Sequence, residues 1–485
     1  MDMTRERTGV SAPLVQIQRP LLSDEQRQAI HFGALRTLEE IGIEVASAAL
    51  QRQLAVFSGV DVKGGRVCFS GELIERLLDR PDPRPWEPPE NHRIALNTGN
   101  GLFHTVDLET DLIRPMTWND AIQGTRLADA MRAADVYGGC PGTPQDIPSE
   151  MYALAEYTLG ALYSRNGGSF VSPCSLTAYE YLLRMHEVMG QDMSLPLYVL
   201  SPLRLAGESL DVVLHFLPNV RRFSASSMPT VGATAPIYIP AAFMQSLAES
   251  FAGLAVIKLL RPDAEVGFGY AIFPIDMKNG VMSYSAPEMS LWDMVRLEMA
   301  AFYGHPTTSG RFIRSMAKRP GVQAAAEKAA SAVAGALAGV RMFNGAGKLS
   351  NDEVFSAEML VIDREIADYA ERFVWGIDLA PETFDLAVIE KGIGEGVYLG
   401  LESTVAQFRQ TYWQPRLMER SQLSGWFAGG EEDMRARARA EVRRWMSLYD
   451  YELDADRAKA LRQLYRAAAR DIVGDTGLPR GRKRL

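Results

Sequence analysis

Carboxylates, aromatic rings and one arginine recur just past the short apolar runs of this chain, and as a set they suit a small organic cation. Asp146 and Glu402 supply the carboxylates and are the candidate catalytic groups. Tyr270, Phe312, Phe343 and Tyr398 offer ring faces, whose quadrupoles hold a quaternary ammonium. Arg311, next to Phe312, is placed to take a carboxylate of the same ligand in a two-point contact, and Gln145 and Met228 complete the candidate binding set. The stretch Pro229-Thr-Val-Gly-Ala-Thr-Ala-Pro236 reads as a tight loop shaped by Gly232, Thr234 and Pro236. It feeds an apolar helix from about Ala241 to Leu260.

Other chemistries find less support. The six histidines, His31, His92, His104, His186, His215 and His305, form no HExxH and no pairing with cysteine at ligand spacing, so no metal site is expected. Neither a GxSxG elbow nor a phosphate loop is present. Cys140 and Cys174 fall near expected strand ends without a neighbouring histidine, which argues against a cysteine nucleophile. Lys348, after the turn Asn344-Gly-Ala-Gly347, is the one lysine close to an expected strand end and the only Schiff-base candidate.

Regular elements must position these groups, and the pattern from Thr117 onward is an alternation of short β-like runs with helices. Strands are expected near 136–139, 168–172, 197–201, 222–226, 265–270, 306–310, 340–344 and 396–400. Helices are expected near 150–163, 177–189, 207–216, 241–260, 287–303, 322–338, 353–375 and 402–412. Eight such units point to an α/β chain folded as a (β/α)8 TIM barrel, over 116–415, whose active site lies past the strand ends. Residues 1–20 read as disordered. Residues 21–115 form an N-terminal α/β appendage, with a capping box at Ser23–Gln26, a hairpin about Gly64-Gly65 and a proline-rich linker. Residues 416–485 form a helical extension.

Composition sets outer bounds. A net charge of −9 with 47% hydrophobic and 23% charged residues fits a globular chain with a large core, and argues against nucleic acid as its main partner. Three cysteines make no disulfide framework, and no signal segment or membrane span is read, so a cytoplasmic location is expected. From Glu431 on, basic residues outnumber acidic ones, which suits a solvated helix face or a docking surface.

Several blocks resemble one family. Gly232-Ala-Thr-Ala-Pro236, Ala248-Glu249, Pro287-Glu288, Tyr303-Gly304-x-Pro306 and Glu358-Met-Leu-Val-Ile-Asp363-x-Glu365-Ile366 match, in order, trimethylamine methyltransferase-like proteins. The resemblance extends from Ile30-His31 through Arg114-Pro-Met-Thr117 and Asp120 to Phe408-Arg-x-x-Tyr412-x-x-Pro415 and Arg420. It implies transfer of a methyl group from an amine to the Co(I) of a corrinoid, cobalamin-like, carried by a separate partner protein. Trimethylamine-specific members carry pyrrolysine; none occurs here, so the chain is similar to the pyrrolysine-free branch that demethylates quaternary amines such as glycine betaine. Members of the family are expected to carry a histidine after the last strand, where this chain reads Tyr398-Leu-Gly-Leu-Glu-Ser-Thr404. A non-catalytic quaternary-amine-binding protein and a barrel lyase or isomerase remain as alternatives, and a homo-oligomer is compatible with the sequence.

Overall fold

Ser23 begins the first helix by the expected box: its Oγ accepts from the Gln26 amide at 3.2 Å, and its own amide donates to Gln26 Oε1 at 2.8 Å. The computed structural model describes residues 20–78, 92–173, 175–305, 307, 309–310 and 313–474. The helix Asp24–Arg36 lies against the long helix Ile239–Leu260. Gly33 permits the approach, since a Cβ there would stand 2.4 Å from Met244 Cε. The hairpin expected about Gly64-Gly65 is formed by β2 (Val60–Lys63) and β3 (Arg66–Phe69). With β1 (Ile43–Val45) and β9 (Arg204–Leu205) they make a four-stranded sheet in the order β2-β3-β1-β9.

Among the described residues, two sheets made of seven strands are wholly parallel. One sheet holds β4 (Ala95–Asn97), β7 (Val136–Tyr137), β14 (Ser309–Gly310) and β15 (Met342–Asn344) in the order β14-β15-β4-β7. The other holds β8 (Ser194–Val199), β10 (Arg222–Ser227) and β11 (Glu265–Phe268) in the order β11-β10-β8. Helices follow these strands within a few residues of where periodicity placed them, among them Tyr152–Tyr163, Leu176–Met189, Glu208–Phe216, Pro287–Phe302, Val322–Leu337 and Ala357–Trp375. The chain is therefore of mixed α/β class. Two further small sheets cap it: β16 (Lys348–Leu349) and β17 (Val354–Phe355) with β5 (His104–Val106) and β6 (Ile113–Pro115), and the pair β12 (Ile275–Asp276) and β13 (Val281–Met282).

Two expected strands are absent at their places. Residues 168–172 are irregular, and run beside the end of β7: a Cβ on Gly139 would meet Gly167 O at 2.7 Å. Residues 396–400 form turns between the helices Leu386–Glu395 and Glu402–Thr411. In compensation β4, which the sequence reading left inside the appendage, inserts between β15 and β7. Ala95-Leu-Asn97 is followed by further strands rather than by a helix, so it falls outside the strand–helix alternation and only pairing reveals it. The expected disordered segment lies, except for residue 20, outside the described residues, as does the centre of the proline-rich linker.

The core follows from strand alternation. Leu195, Leu197, Val199, Phe223 and Ala225 are buried, and Gly253 of the helix Ile239–Leu260 sits on them, with an added Cβ only 2.8 Å from Ala225 Cβ. That helix is long and apolar enough to cross a membrane, yet it is packed between the strands and the first helix; each fully buried Leu or Phe there stabilises by about 1.5–3 kcal/mol.

The helix Ala357–Trp375 shows what the block Glu358–Ile366 does. Glu358 pairs with Arg435 and with Arg439, whose Nε lies at 2.9 Å. Asp363 Oδ2 receives Lys328 Nζ at 2.6 Å and the Gly347 amide at 2.7 Å. Arg364 donates to Ile94 O at 2.6 Å, and Glu365 accepts the amides of Arg416, Leu417 and Met418. These charges fix neighbouring segments rather than face solvent. The arginines of the helix Met434–Ser447 are likewise engaged within the chain, with Arg443 on Glu109 and Arg437 on Glu419 as well. This accounts for much of the basic tail; residues 475–485 lie outside the described residues.

Candidate functional site

The helix Tyr152–Tyr163 is apolar except for one charge, Glu156, and that side chain is fully buried beneath the C-terminal ends of the parallel strands. Four donors converge on it. The Asn100 amide side chain and the Val171 amide reach Oε2 at 3.2 and 2.9 Å. The Gly101 amide reaches Oε1 at 3.2 Å, and Thr143 Oγ1 donates to the same oxygen. One carboxylate thus joins the loop after β4, the loop after β7 and the irregular segment 167–173. Burial pushes its pKa up to about 7, although the four donors, led by Thr143, pull the other way.

Lys348 adds a cation to the same rim. The chain turns after β4 because Asn97 Oδ1 accepts the Gly99 amide at 2.7 Å and Gly99 takes φ +68°; a Cβ there would lie 3.0 Å from Lys348 Cε. Lys348 Nζ donates to Asn100 O at 3.0 Å and lies 3.5 Å from Asp352 Oδ1. Burial lowers its pKa to about 8, opposed chiefly by Asp352. Arg314 pairs with the other Asp352 oxygen and sets its guanidinium 4.5 Å from the centre of the Tyr284 ring. Gly345, at φ +100°, leaves room for the Arg314 stem.

The strand faces turned away from the helices are uncovered. Tyr198, Leu200 and Met228 are exposed, and Pro196, Ser224 and Ser226 half-buried, in register across β8 and β10. Asn97, Tyr137 and Asn344 are half-buried and opposed across β7, β4 and β15. Asn344 Nδ2 donates to Ser309 Oγ at 3.1 Å and to Gly310 O at 2.9 Å. Toward the C-terminal strand ends these faces are aromatic, hydroxylic and amide-bearing; at the opposite ends of β10 and β11 Arg222 pairs with Glu265. Among the described residues, no three His, Cys, Asp or Glu side chains gather as metal ligands.

The residues chosen from sequence are dispersed by the fold. Met228 stands on the uncovered face, at the end of β10. Gln145 lies near the rim, where its Nε2 donates to Thr143 O at 3.0 Å and its Oε1 accepts from the Tyr152 hydroxyl at 3.1 Å. Asp146 is exposed and receives the Trp118 amide at 2.9 Å, a helix cap rather than a mouth carboxylate. Phe343 points outward, one register step from the open face, and its ring covers Gly335 of the helix Val322–Leu337. Tyr270 is buried in an aromatic group with Phe268 and Tyr303, its hydroxyl donating to Arg296 O at 3.3 Å. That group forms one wall of a cleft of about 390 Å³ between the β11 end and Thr307.

Tyr398 and Glu402 are exposed, on a segment that leaves the body after Trp375. Arg311, Phe312 and Cys174 lie outside the described residues. Gly232, at φ +80°, and Thr234 do shape the expected loop: Gly232 N donates to Ala235 O at 2.9 Å, and Thr234 Oγ1 accepts from the Thr230 amide at 2.9 Å. Pro236 is exposed beyond it. Cys140 is buried, donates to Gly142 O at 3.1 Å, and has its thiol pushed up to about 12 by burial and by Glu156, so it is poorly suited as a nucleophile.

Glu156, Asn100, Arg314 and Asp352 were missed. One signal was available for Glu156: a lone carboxylate inside an otherwise apolar helix must be buried with partners. Asn100 and Asp352 give no such signal, because short polar loop residues are common in turns. Lys348 was noted for its position, but its surroundings here are those of a hydrogen-bonded rim cation.

Comparison with known proteins gives the family. The model of the trimethylamine methyltransferase (MTTB) family matches residues 5–471. The glycine betaine methyltransferase of Desulfitobacterium hafniense strain Y51 is 26% identical over 459 residues, covering 89% of this chain and 92% of the relative. The trimethylamine methyltransferase MttB1 of Methanosarcina mazei is 32% identical over 461 residues, covering 88% and 90%. A solved structure, the hydroxylamine complex of MtmB, aligns with a TM-score of 0.45 and 11% identity over 91% of this chain and 88% of that one.

Proposed function

We propose that this chain, which belongs to the trimethylamine methyltransferase family and is a methyltransferase, takes its methyl group from a quaternary amine of the betaine kind. The acceptor in this reading is the Co(I) of a corrinoid carried by a separate protein, which is the nucleophile and so a second substrate. The observation that carries the substrate class is the division of charge in the site. Toward the C-terminal strand ends its open face presents Tyr198, Ser224 and Ser226, with Arg222 and Glu265 paired with each other at the opposite end, while Lys348 and Arg314, both beside Asp352, gather at the rim.

A quaternary ammonium loses its positive charge as the methyl group departs. An enzyme that met it with a close carboxylate would stabilise the ground state more than the transition state. Neutral rings and hydroxyls such as Tyr198, Ser224 and Ser226 hold the cation without that cost. A carboxylate at the far end of the ligand keeps its charge throughout, so Lys348 and Arg314 can bind it equally in both states and orient the methyl group. In the displacement the C–N bond breaks, its electron pair stays on nitrogen, and a neutral tertiary amine leaves, so no general acid is required of the chain.

In the same reading the two parallel sheets are arcs of one (β/α)8 barrel. Taken in chain order as β4, β7, the segment 167–173, β8, β10, β11, β14 and β15, the last returns to pair with the first. Glu156 and Lys348 then stand at the C-terminal mouth, where such barrels carry their chemistry.

The test is anaerobic methylation of reduced cobalamin, followed by the absorbance change to methyl-Co(III), across betaines, carnitine-like compounds, choline and trimethylamine. Activity confined to quaternary amines with a carboxylate supports the reading. Equal activity with choline removes the role given to Lys348 and Arg314. A thermal shift without transfer favours a quaternary-amine-binding protein instead.

A further inference from the structure

The helix Ile239–Leu260 holds one acid, Glu249, and buries it completely. A carboxylate leaves water only where donors replace its hydration. Ser201 Oγ donates to Oε2 at 2.7 Å, and the Leu203 amide and Gln245 Nε2 donate to Oε1, each at 2.9 Å. Gln245 Nε2 also donates to Thr234 O at 2.8 Å. One carboxylate therefore reaches the turn after β8 directly and the loop after β10 through a glutamine. The turn is tight: Leu200 and Arg204 exchange both backbone bonds at 2.9 Å. Within it Leu203 takes φ +45°, a left-handed conformation that a leucine keeps only where its surroundings hold it.

We propose that Glu249 is a positioning residue for methyl transfer, which holds the turn 200–204 and the loop 230–235 at a fixed spacing on the rim. The role rests on the reading that the strand face beside them receives the cation. Tyr198 and Leu200 stand just before the turn and Met228 just before the loop, all exposed on that face. The turn runs on into β9, which pairs with β1 of the appendage, Arg204 opposite Glu44 and Leu205 opposite Val45. It thus has two anchors, the appendage sheet and Glu249, and only Glu249 also reaches the loop after β10. An in-line displacement is sensitive to such placement, since a shift of about 1 Å can cost roughly 100-fold in rate.

Hydrogen exchange and steady-state kinetics of the full-length protein test this together, with glycine betaine and reduced cobalamin as substrates. In Glu249→Ala, exchange is expected to rise in both 200–204 and 230–235. KM for betaine should rise about 10-fold and kcat/KM fall about 100-fold. Glu249→Gln keeps an oxygen for the Leu203 amide and should recover most of both losses. A residue that served stability alone would lower the folded fraction and leave KM where it is. Should Glu249→Ala not fold, Gln245→Leu decides: it removes the bridge to Thr234 O, so 230–235 must exchange faster while 200–204 stays protected. Unchanged exchange in either segment of Glu249→Ala, an unchanged KM in that variant when folded, or a glutamine variant no better than alanine would each overturn the inference. A wild type inactive on betaine would sink the substrate reading and not the link between the two segments, which exchange decides without any ligand.

Discussion

Lys348 Nζ donates to the carbonyl oxygen of Asn100 at 3.0 Å, across 248 residues of chain. The side-chain amide of Asn100 then donates to Glu156, so one loop residue lies between a buried cation and a buried carboxylate. The rim of the site is tied together by these contacts, and its predicted behaviour follows from them.

Replacing Lys348 by Met should raise KM for a carboxylate-bearing substrate by about 10- to 100-fold, the cost of losing one charged hydrogen bond. Methylated amines without a carboxylate should be bound as before. Initial-rate kinetics with a betaine and with choline or trimethylamine make the comparison, and an equal loss on both would mean that Lys348 only supports the loop.

The pH dependence of stability carries its own sign. Burial favours the neutral amine, so folded Lys348 titrates at about 8 while an unfolded lysine titrates near 10.4. Between those values the unfolded chain binds more protons, so the wild type should gain stability relative to Lys348→Met as pH rises above about 8. Chemical denaturation of both proteins from pH 7 to 10 reads this difference; a gap independent of pH contradicts it.

Glu156→Ala leaves the Gly101 and Val171 amides, Thr143 Oγ1 and the Asn100 side chain without their shared acceptor. A loss of about 2–4 kcal/mol is expected from unsatisfied buried donors. Hydrogen exchange should rise together at 98–102, 141–144 and 169–172, three segments that are distant in sequence. Faster exchange in only one of them would show that the carboxylate does not join them.

Lys328 and Asp363 are fully buried and 2.6 Å apart. Removing either alone, as Lys328→Met or Asp363→Asn, should cost about 3–5 kcal/mol because a buried partner is left uncompensated. The double variant Lys328→Met/Asp363→Leu should recover much of that, and a double-mutant cycle in denaturant measures it. Additive losses would argue against a coupled pair.

Phe343→Ala separates the sequence-based role from the structural one. With its ring on Gly335, the residue belongs to the core, and truncation should cost about 3–5 kcal/mol while KM stays unchanged. A raised KM with intact stability would return Phe343 to the binding face.

The helices were legible in the sequence because their apolar spacing repeats over three or more turns, and their observed ends differ by a few residues. Six of the eight expected strand positions hold strands, because each lies between two such helices in the alternation. The site was far less legible. Phe343 and Asn344 are adjacent, and which of them faces the ligand depends on strand register, which pairing with β4 and β14 decides. Tyr398 and Glu402 followed from an expected last strand. The structure instead completes the first sheet with β4, from the opposite end of the chain, and puts those two residues on the segment that leaves the body after Trp375.

By itself, then, the sequence determined the class of fold, the order of its elements and the family, since each rests on patterns along the chain. Only the tertiary structure decided that Glu156, Asn100 and Lys348 meet, that the signature carboxylates Glu358, Asp363 and Glu365 bind neighbouring segments, and that Glu249 reaches the turn after β8. Those facts concern distances between residues dozens to hundreds of positions apart, and local periodicity carries no information about such distances.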